Sequence, residues 1–187
     1  QSQDNGKLRG LGISCYIEAC GVAPSKLTLE AGGRGGYYES STVRINPTGS
    51  VTVFTGSHSH GQGHETVFAQ IVHEKLGVPF DSIDVVHGDT GRVPFGVGTV
   101  GSRSLAVGGP ALMRSIDKII DKGKKIAAHI LDASYDEITF KDGEFSVSNS
   151  NKFIAFSDVV GAAYVPGNYP IETLEPGLEE TSFYDPP

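Results

Sequence analysis

The sequence predicts an α+β fold in which β-hairpins pack with two amphipathic helices. Two turn signatures, Asn46-Pro47-Thr48-Gly49 and Asp142-Gly143, each separate a pair of short β-prone runs. Two longer stretches, around Val67–Leu76 and Leu112–Leu131, carry apolar residues at helical spacing. Strand-like and helical stretches also follow one another without the regular βα alternation of a barrel. At 187 residues the chain suits one domain, or one lobe of a larger one, with a core that needs no disulfide or metal staple.

Taken in order, Leu8 to Glu18 alternates well enough for a strand with glycines at crowded positions. Gly32, Gly33, Gly35 and Gly36 then form a loop around Arg34. Ser41–Ile45 and Val51–Phe54 make the first hairpin, because Pro47 presets φ and Gly49 supplies the left-handed position. After Gly61-Gln62-Gly63, the residues Val67, Phe68, Ile71, Val72 and Leu76 predict a helix that Gly77 closes. Ser82–His87 reads as a short strand. A second glycine-rich stretch leads to the long helix, with an apolar stripe from Leu112 to Leu131, Pro110 in its first turn, and Lys118, Lys122, Lys124 and Lys125 on solvated faces. Glu137–Phe140 and Glu144–Val147 form the second hairpin, and Phe153–Phe156 is a further short strand. Ser157 is expected to cap a helix through Val159 and Ala163, with Asp158 in its first turn. The core is expected to span about residues 8–165, with 166–187 an extended tail. The polar start at Gln1 and the end at Asp185-Pro186-Pro187 read as the cut ends of a fragment.

Composition excludes several classes. The net charge of −7, with no Lys/Arg stripe interleaved with aromatics, argues against nucleic-acid binding. No apolar run approaches the ~20 residues of a membrane span. Cys15 and Cys20 are expected to point to opposite faces of a strand, as small buried thiols in a reducing cytoplasm. Glycine supplies 25 residues, well above the roughly 7% average, and is concentrated in loops.

Those loops carry the candidate chemistry. A helix N-terminus offers unpaired N–H groups and partial positive charge, so a glycine-rich loop opening a helix suits a phosphate. Gly61-Gln62-Gly63 opens one helix, with Gln62 able both to donate and to accept. Gly101-Ser102-Arg103-Ser104 opens the next, where two hydroxyls and a guanidinium suit a pyrophosphate or nucleotide. Neither loop is a Walker A or dinucleotide fingerprint. Two other readings stand beside this one. His58 and His60, with His64 and Asp89, could form a small zinc hydrolase site, although loose glycine backbone holds metal ligands poorly. The loops could equally belong to a non-catalytic phosphate- or nucleotide-binding module. His73, His87 and His129 read as single surface or satisfied core histidines.

At these positions the chain resembles the large subunit of molybdenum hydroxylases, the family of carbon monoxide dehydrogenase, xanthine dehydrogenase and aldehyde oxidase. The resemblance rests on Gly61-Gln62-Gly63-His64-Glu65-Thr66 with Ala69-Gln70, on His87-Gly88-Asp89-Thr90, and on Gly98-Thr99-Val100-Gly101-Ser102-Arg103-Ser104. Arg9-Gly10-Leu11-Gly12 with Glu18 upstream and Phe183-Tyr184-Asp185-Pro186-Pro187 downstream extend it to about residues 7–187, and His60 before the Gly-Gln-Gly run leans toward the carbon monoxide dehydrogenase branch. It implies one lobe of a molybdenum-cofactor-binding domain that holds molybdopterin cytosine dinucleotide. Gly61, Gln62, Gly63, His64, Thr66, Gly101, Ser102, Arg103 and Ser104 would bind the cofactor, with Asp89 and Thr90 as neighbours. Glu18 and Glu65 would play scaffold parts. The family's catalytic glutamate would fall beyond Pro187, and its substrate-side loop before Gln1, so no catalytic residue maps onto this chain. The implied partners are the rest of the large subunit, an iron–sulfur small subunit and an FAD-binding medium subunit. The implied location is cytoplasmic, or peripheral at the inner membrane. The chain alone is then expected to hold no cofactor, to lack turnover, and to self-associate through apolar surface left uncovered.

Overall fold

A computed structural model describes residues 6, 10–18, 20–21 and 24–187. A short helix, α1 (Ser25–Glu30), precedes the hairpin of β1 (Glu39–Ile45) and β2 (Val51–Thr55). Then come α2 (His64–Leu76), β3 (Ile83–Val86) and the long α3 (Gly109–Leu131). The second hairpin, β4 (Ile138–Lys141) and β5 (Glu144–Val147), continues into β6 (Phe153–Ala155), α4 (Phe156–Tyr164) and β7 (Leu178–Tyr184).

Two sheets result. The larger has strand order β3-β2-β1-β7, antiparallel except for the parallel β2–β3 pair that α2 connects. The smaller is the antiparallel meander β4-β5-β6. Helix α3 lies against β1 and β7 of the first sheet and reaches β4 and β5 of the second. One continuous core therefore runs from Val43, Ile45 and Val53 through Phe68 and Val72 of α2 and Leu112, Ile116 and Ile126 of α3 to Phe145. The helical stripe is buried as its spacing predicts, with Ile120, Ile130 and Leu131 partly covered at its margin. Where α3 crosses the second sheet it carries Gly123, because a Cβ there would stand 2.4 Å from the Phe145 ring.

Both hairpin turns form as their residues dictate. Gly49 takes φ 86° and donates to the Asn46 carbonyl, and Asp142 and Gly143 both take positive φ, 50° and 78°. Gly77 caps α2 in the left-handed conformation and donates to the His73 carbonyl. Pro110 sits in the first turn of α3.

Four expectations are corrected. Residues 10–18 form no strand. They have no regular structure and are exposed, Leu11, Ile13 and Ile17 included, and Leu8 and Arg9 lie outside the described residues. Cys15 and Cys20 are exposed thiols rather than buried ones. Ser157 does not cap α4. The helix begins one residue earlier, at Phe156, whose amide donates to the Gly143 carbonyl of the neighbouring hairpin, so a tertiary bond replaces a side-chain cap. Residues 166–187 are not a coreless tail, since β7 pairs along the whole of β1, Leu178 is fully buried and Tyr169 is buried. Its polar run Glu179-Glu180-Thr181-Ser182 hides a strand. Thr181 bonds the Thr42 hydroxyl, Glu179 pairs with Arg44, and only Leu178 and Ser182 are buried.

Candidate functional site

Strands β2 and β3 are parallel neighbours, so their C-terminal ends open side by side, and the two glycine-rich loops leave from that edge. The first, residues 56–63, ends on Gly63, which takes φ 81° as the N-cap of α2, and Gly61 takes φ 92°. A Cβ added at either would meet nothing within 4 Å, so both face open space. The second loop returns from β3 through residues 88–103 to a wide π-type turn, Ser104–Gly108, that leads into α3.

Thr99 joins the two loops. Its hydroxyl accepts from the His58 amide at 3.1 Å, donates to the His58 carbonyl at 2.5 Å, and lies 2.8 Å from the Ser104 hydroxyl. Below this junction the backbones meet at Gly56 and Gly96, where a Cβ on Gly96 would fall 2.2 Å from the Gly56 Cα. Only glycine at both positions permits that approach.

Beneath the junction lies a fully buried ion pair, Arg103 with Glu39. Arg103 Nη1 donates to Glu39 Oε2 at 2.6 Å and to the Gly98 carbonyl at 2.9 Å, while Nη2 donates to the carbonyls of Tyr37 and Tyr38 at 2.5 and 3.1 Å. The guanidinium thus ties the second loop to the entry of β1. It faces the core and not solvent, beneath Ser102 and Ser104. Burial pushes the Glu39 carboxyl above its ordinary value, against the opposing hydrogen bond and charge of Arg103.

The other candidates divide by position. His64 opens α2, is buried, stacks on Phe68 at 5.7 Å, and its Nδ1 has no partner among the described residues. Burial lowers its pKa. Gln62 turns its side-chain carbonyl back to accept from the His60 amide. Thr66 is exposed on the first turn of α2. Ser102 is exposed with φ 51°, and its hydroxyl donates to Glu18 Oε1 at 2.7 Å. Asp89 and Thr90 line an open cavity of about 450 Å³ that Thr55, His58 and the 93–98 segment complete. Asp89 Oδ1 accepts from the Gly91 amide. Ser104 faces inward on Thr99. Gly61–Thr66 and Gly101–Ser102 therefore surround the junction from two sides, while Asp89 and Thr90 belong to the adjoining cavity.

The histidines do not assemble a metal centre. His58 stands 4.9 Å from His60 and 5.5 Å from His87 between ring centroids, yet no group of three or more His, Cys, Asp or Glu among the described residues could hold an ion. His87, read from the sequence as a single surface or satisfied core histidine, is partly buried and committed to Glu65 at 2.7 Å. The Glu65 carboxyl is held below its usual range by its own backbone N–H and then by His87. Sequence reasoning missed Thr99, Glu39 and His87 as organisers of the site. The cue available for Glu39 was a carboxylate at the head of a buried strand, which requires a partner.

A family model described as the molybdopterin cofactor-binding domain matches residues 1–187. The carbon monoxide dehydrogenase large chain of Hydrogenophaga pseudoflava is 40% identical over 181 residues, covering 96% of this chain and 22% of its own length. The nicotine 6-hydroxylase large subunit of Paenarthrobacter nicotinovorans is 34% identical over 186 residues, covering 99% of this chain and 23% of its own. Among solved structures, Cu,Mo-CO dehydrogenase superposes with TM-score 0.83 and 39% identity over 91% of this chain and 21% of that one. Quinoline 2-oxidoreductase from Pseudomonas putida 86 does so with TM-score 0.77 and 35% identity, covering 88% and 21%. The chain spans about a fifth of the length of the curated relatives it matches.

Proposed function

The chain belongs to the molybdopterin cofactor-binding domain family, and from that premise we propose that it forms part of the cradle for molybdopterin cytosine dinucleotide in the large subunit of a molybdenum hydroxylase. The observation that carries this reading is the junction at Thr99, which ties the loop that leads to Gly61-Gln62-Gly63, at His58, to the loop that follows Gly101-Ser102, at Ser104. The donor set fits such a group. Gly61 and Gly63 leave their backbone open to close approach, and the first N–H groups of α2 have no carbonyl partner within the helix. The buried His64 Nδ1 supplies a polar atom still without a partner.

Gly61, Gln62, Gly63, His64 and Thr66 would hold one part of the group, and Gly101 and Ser102 another. Asp89 and Thr90 would border it from the cavity beside them. Arg103 and Ser104 would act from beneath, by fixing the second loop. When bound, the cofactor supplies the redox centre at which a small substrate is oxidised. The relatives' names span carbon monoxide and nitrogen heterocycles, and we assign the parent enzyme to that range of small substrates, aldehydes included. Its electrons would leave through iron–sulfur and FAD-binding partner subunits. Two free, exposed thiols suit a reducing cytoplasm, and no helix among the described residues is long and apolar enough to cross a membrane.

The glutamates nearest the loops among the described residues are already engaged. Glu39 is buried against Arg103, Glu65 is held by His87 and Ser59, and Glu18 accepts from Ser102. Every carboxylate beside the loops that the sequence singles out is engaged in holding them, so we expect no turnover from the chain alone. The test is to purify the protein that carries this chain, hydrolyse it in acid, and measure molybdenum and released nucleotide. CMP in proportion to molybdenum is expected, with both lowered by Gly63→Val, which strains a left-handed position. Release of GMP alone, or molybdenum unaffected by Gly63→Val, would count against the assignment.

A further inference from the structure

The loop that ends on Gly63 has little of its own to keep it in place. It forms neither strand nor helix after β2, takes positive φ at Gly61 and Gly63, and packs nothing against either. A loop built this way needs a restraint from outside itself if its N–H groups are to point in one direction. The parallel pairing of β2 and β3 provides one. His87, one residue beyond the end of β3, lands beside the exit of β2.

There a closed ring of three contacts forms. The Ser59 amide donates to His87 Nδ1 at a long 3.5 Å, His87 Nε2 lies 2.7 Å from Glu65 Oε1, and the Ser59 hydroxyl donates to Glu65 Oε2 at 3.2 Å. Because an amide N–H faces Nδ1, that nitrogen must present its lone pair, and the ring hydrogen must sit on Nε2, where Glu65 accepts it. The arrangement selects the neutral Nε2–H tautomer. The His87 side chain is 19% exposed and Glu65 is 52% exposed, so the pair adds little to global stability. What the ring does is tie the loop backbone to the first turn of α2.

We propose that His87 is a positioning residue of the cofactor cradle, its imidazole clasping Ser59 to Glu65 and so fixing the direction of the loop's N–H groups through Gly63. This rests on the reading that the loop belongs to a cofactor cradle. It adds to that cradle a residue that acts through the loop.

The experiment is amide hydrogen exchange, followed by NMR on the full chain free of cofactor. His87→Ala should speed exchange at Ser59–Gly63 by about tenfold, while the amides of β1 and α3 exchange as before. His87→Phe fills the same space without either hydrogen bond and should behave like alanine. His87→Gln can still reach Glu65 with its amide and should restore part of the protection. Full protection in the phenylalanine variant would reduce His87 to packing, and unchanged exchange in the alanine variant would remove it from the loop; either overturns the proposal. Should a variant not fold, nitrogen-15 spectroscopy of the unaltered chain decides alone, because an Nδ1–H tautomer at His87 is incompatible with the clasp. None of these readouts involves the cofactor. Their failure leaves the cradle assignment standing, and the nucleotide analysis decides that assignment separately.

Discussion

Replacing Arg103 with methionine removes a cation from a site with no access to water. The side chain is fully buried, and its two terminal nitrogens supply the Glu39 carboxylate and the carbonyls of Tyr37, Tyr38 and Gly98. Methionine fills much of the stem volume but donates nothing, so a carboxylate without its cation remains in the core. Breaking a buried pair from one side costs about 3–5 kcal/mol, and carbonyls left without donors add to the upper end of that range. Domains of this size are typically stable by about 5–15 kcal/mol, so the variant should fold with much of its margin gone. With about 2–4 °C of melting temperature per kcal/mol, a loss of about 4 kcal/mol lowers Tm by roughly 8–16 °C. Urea unfolding is the assay, with the midpoint falling and the slope unchanged. Adding Glu39→Leu to Arg103→Met removes the stranded charge and should recover part of the loss, since a buried pair is often replaceable by apolar residues. Acid should also recover part of it. With Arg103 gone, only the Ser40 amide and the Ser57 hydroxyl oppose the burial that raises the Glu39 pKa, so its contribution is fully present below about pH 4.3 and is lost as pH rises through its folded value. A loss under 1 kcal/mol in Arg103→Met, or a double variant as weak as the sum of the singles, would refute the assignment of Arg103 as the latch between β1 and the second loop.

His64 should make stability depend on pH in a different window. Its pKa is depressed by burial, so its contribution is full above the ordinary value of ~6.5 and is lost as pH falls through the folded value; urea midpoints should decline over that range, and less steeply in His64→Phe. Gly123→Ala places a Cβ 2.4 Å from the Phe145 ring. Overpacking of about 1–3 kcal/mol should outweigh the ~1 kcal/mol that alanine adds to a helix, and a more stable variant in thermal melts would show that the ring can move aside. Elemental analysis of the chain produced with zinc and molybdate supplied should find neither bound. About one zinc per chain, lost when His58 and His60 are replaced, would instead support a hydrolase.

The parts of this fold that were legible in the sequence are those governed by local chemistry. Asn46-Pro47-Thr48-Gly49 and Asp142-Gly143 announce their turns because φ demands those residues. The spacing from Leu112 to Leu131 announces α3 because a helix exposes that stripe to one neighbour. Helix α1 escaped notice because it buries nothing, so Ser25–Glu30 carries no periodic signal. Strand β7 escaped because Arg44 and Thr42 of its flanking strand engage the polar side chains of Glu179 and Thr181, leaving no apolar alternation to read. The site followed the same division. Glycines and the start of α2 could be read as an anion-accepting backbone, since that property is local. The role of Arg103 could not, because its partner Glu39 lies 64 residues away, and proximity to two serines suggested a ligand where the fold had supplied a carboxylate. Thr99 and His87 were opaque for the same reason, each acting on a loop that only the sheet brings near.

The pairing of β7 with β1 also sets an order of assembly. Thr42 meets Thr181 and Arg44 meets Glu179 across separations of 139 and 135 residues, so one whole edge of β1 stays open until β7 has left the ribosome. Until then the β1–β2 hairpin, α2 and β3 can form from nearby contacts, but half of the bed on which α3 rests is absent. Closing so long a loop is slow in entropic terms, and the open edge offers unpaired backbone groups to any other extended strand in the meantime. A nascent chain stalled before Leu178 should therefore be the species most prone to aggregate, and one that a chaperone would hold longest.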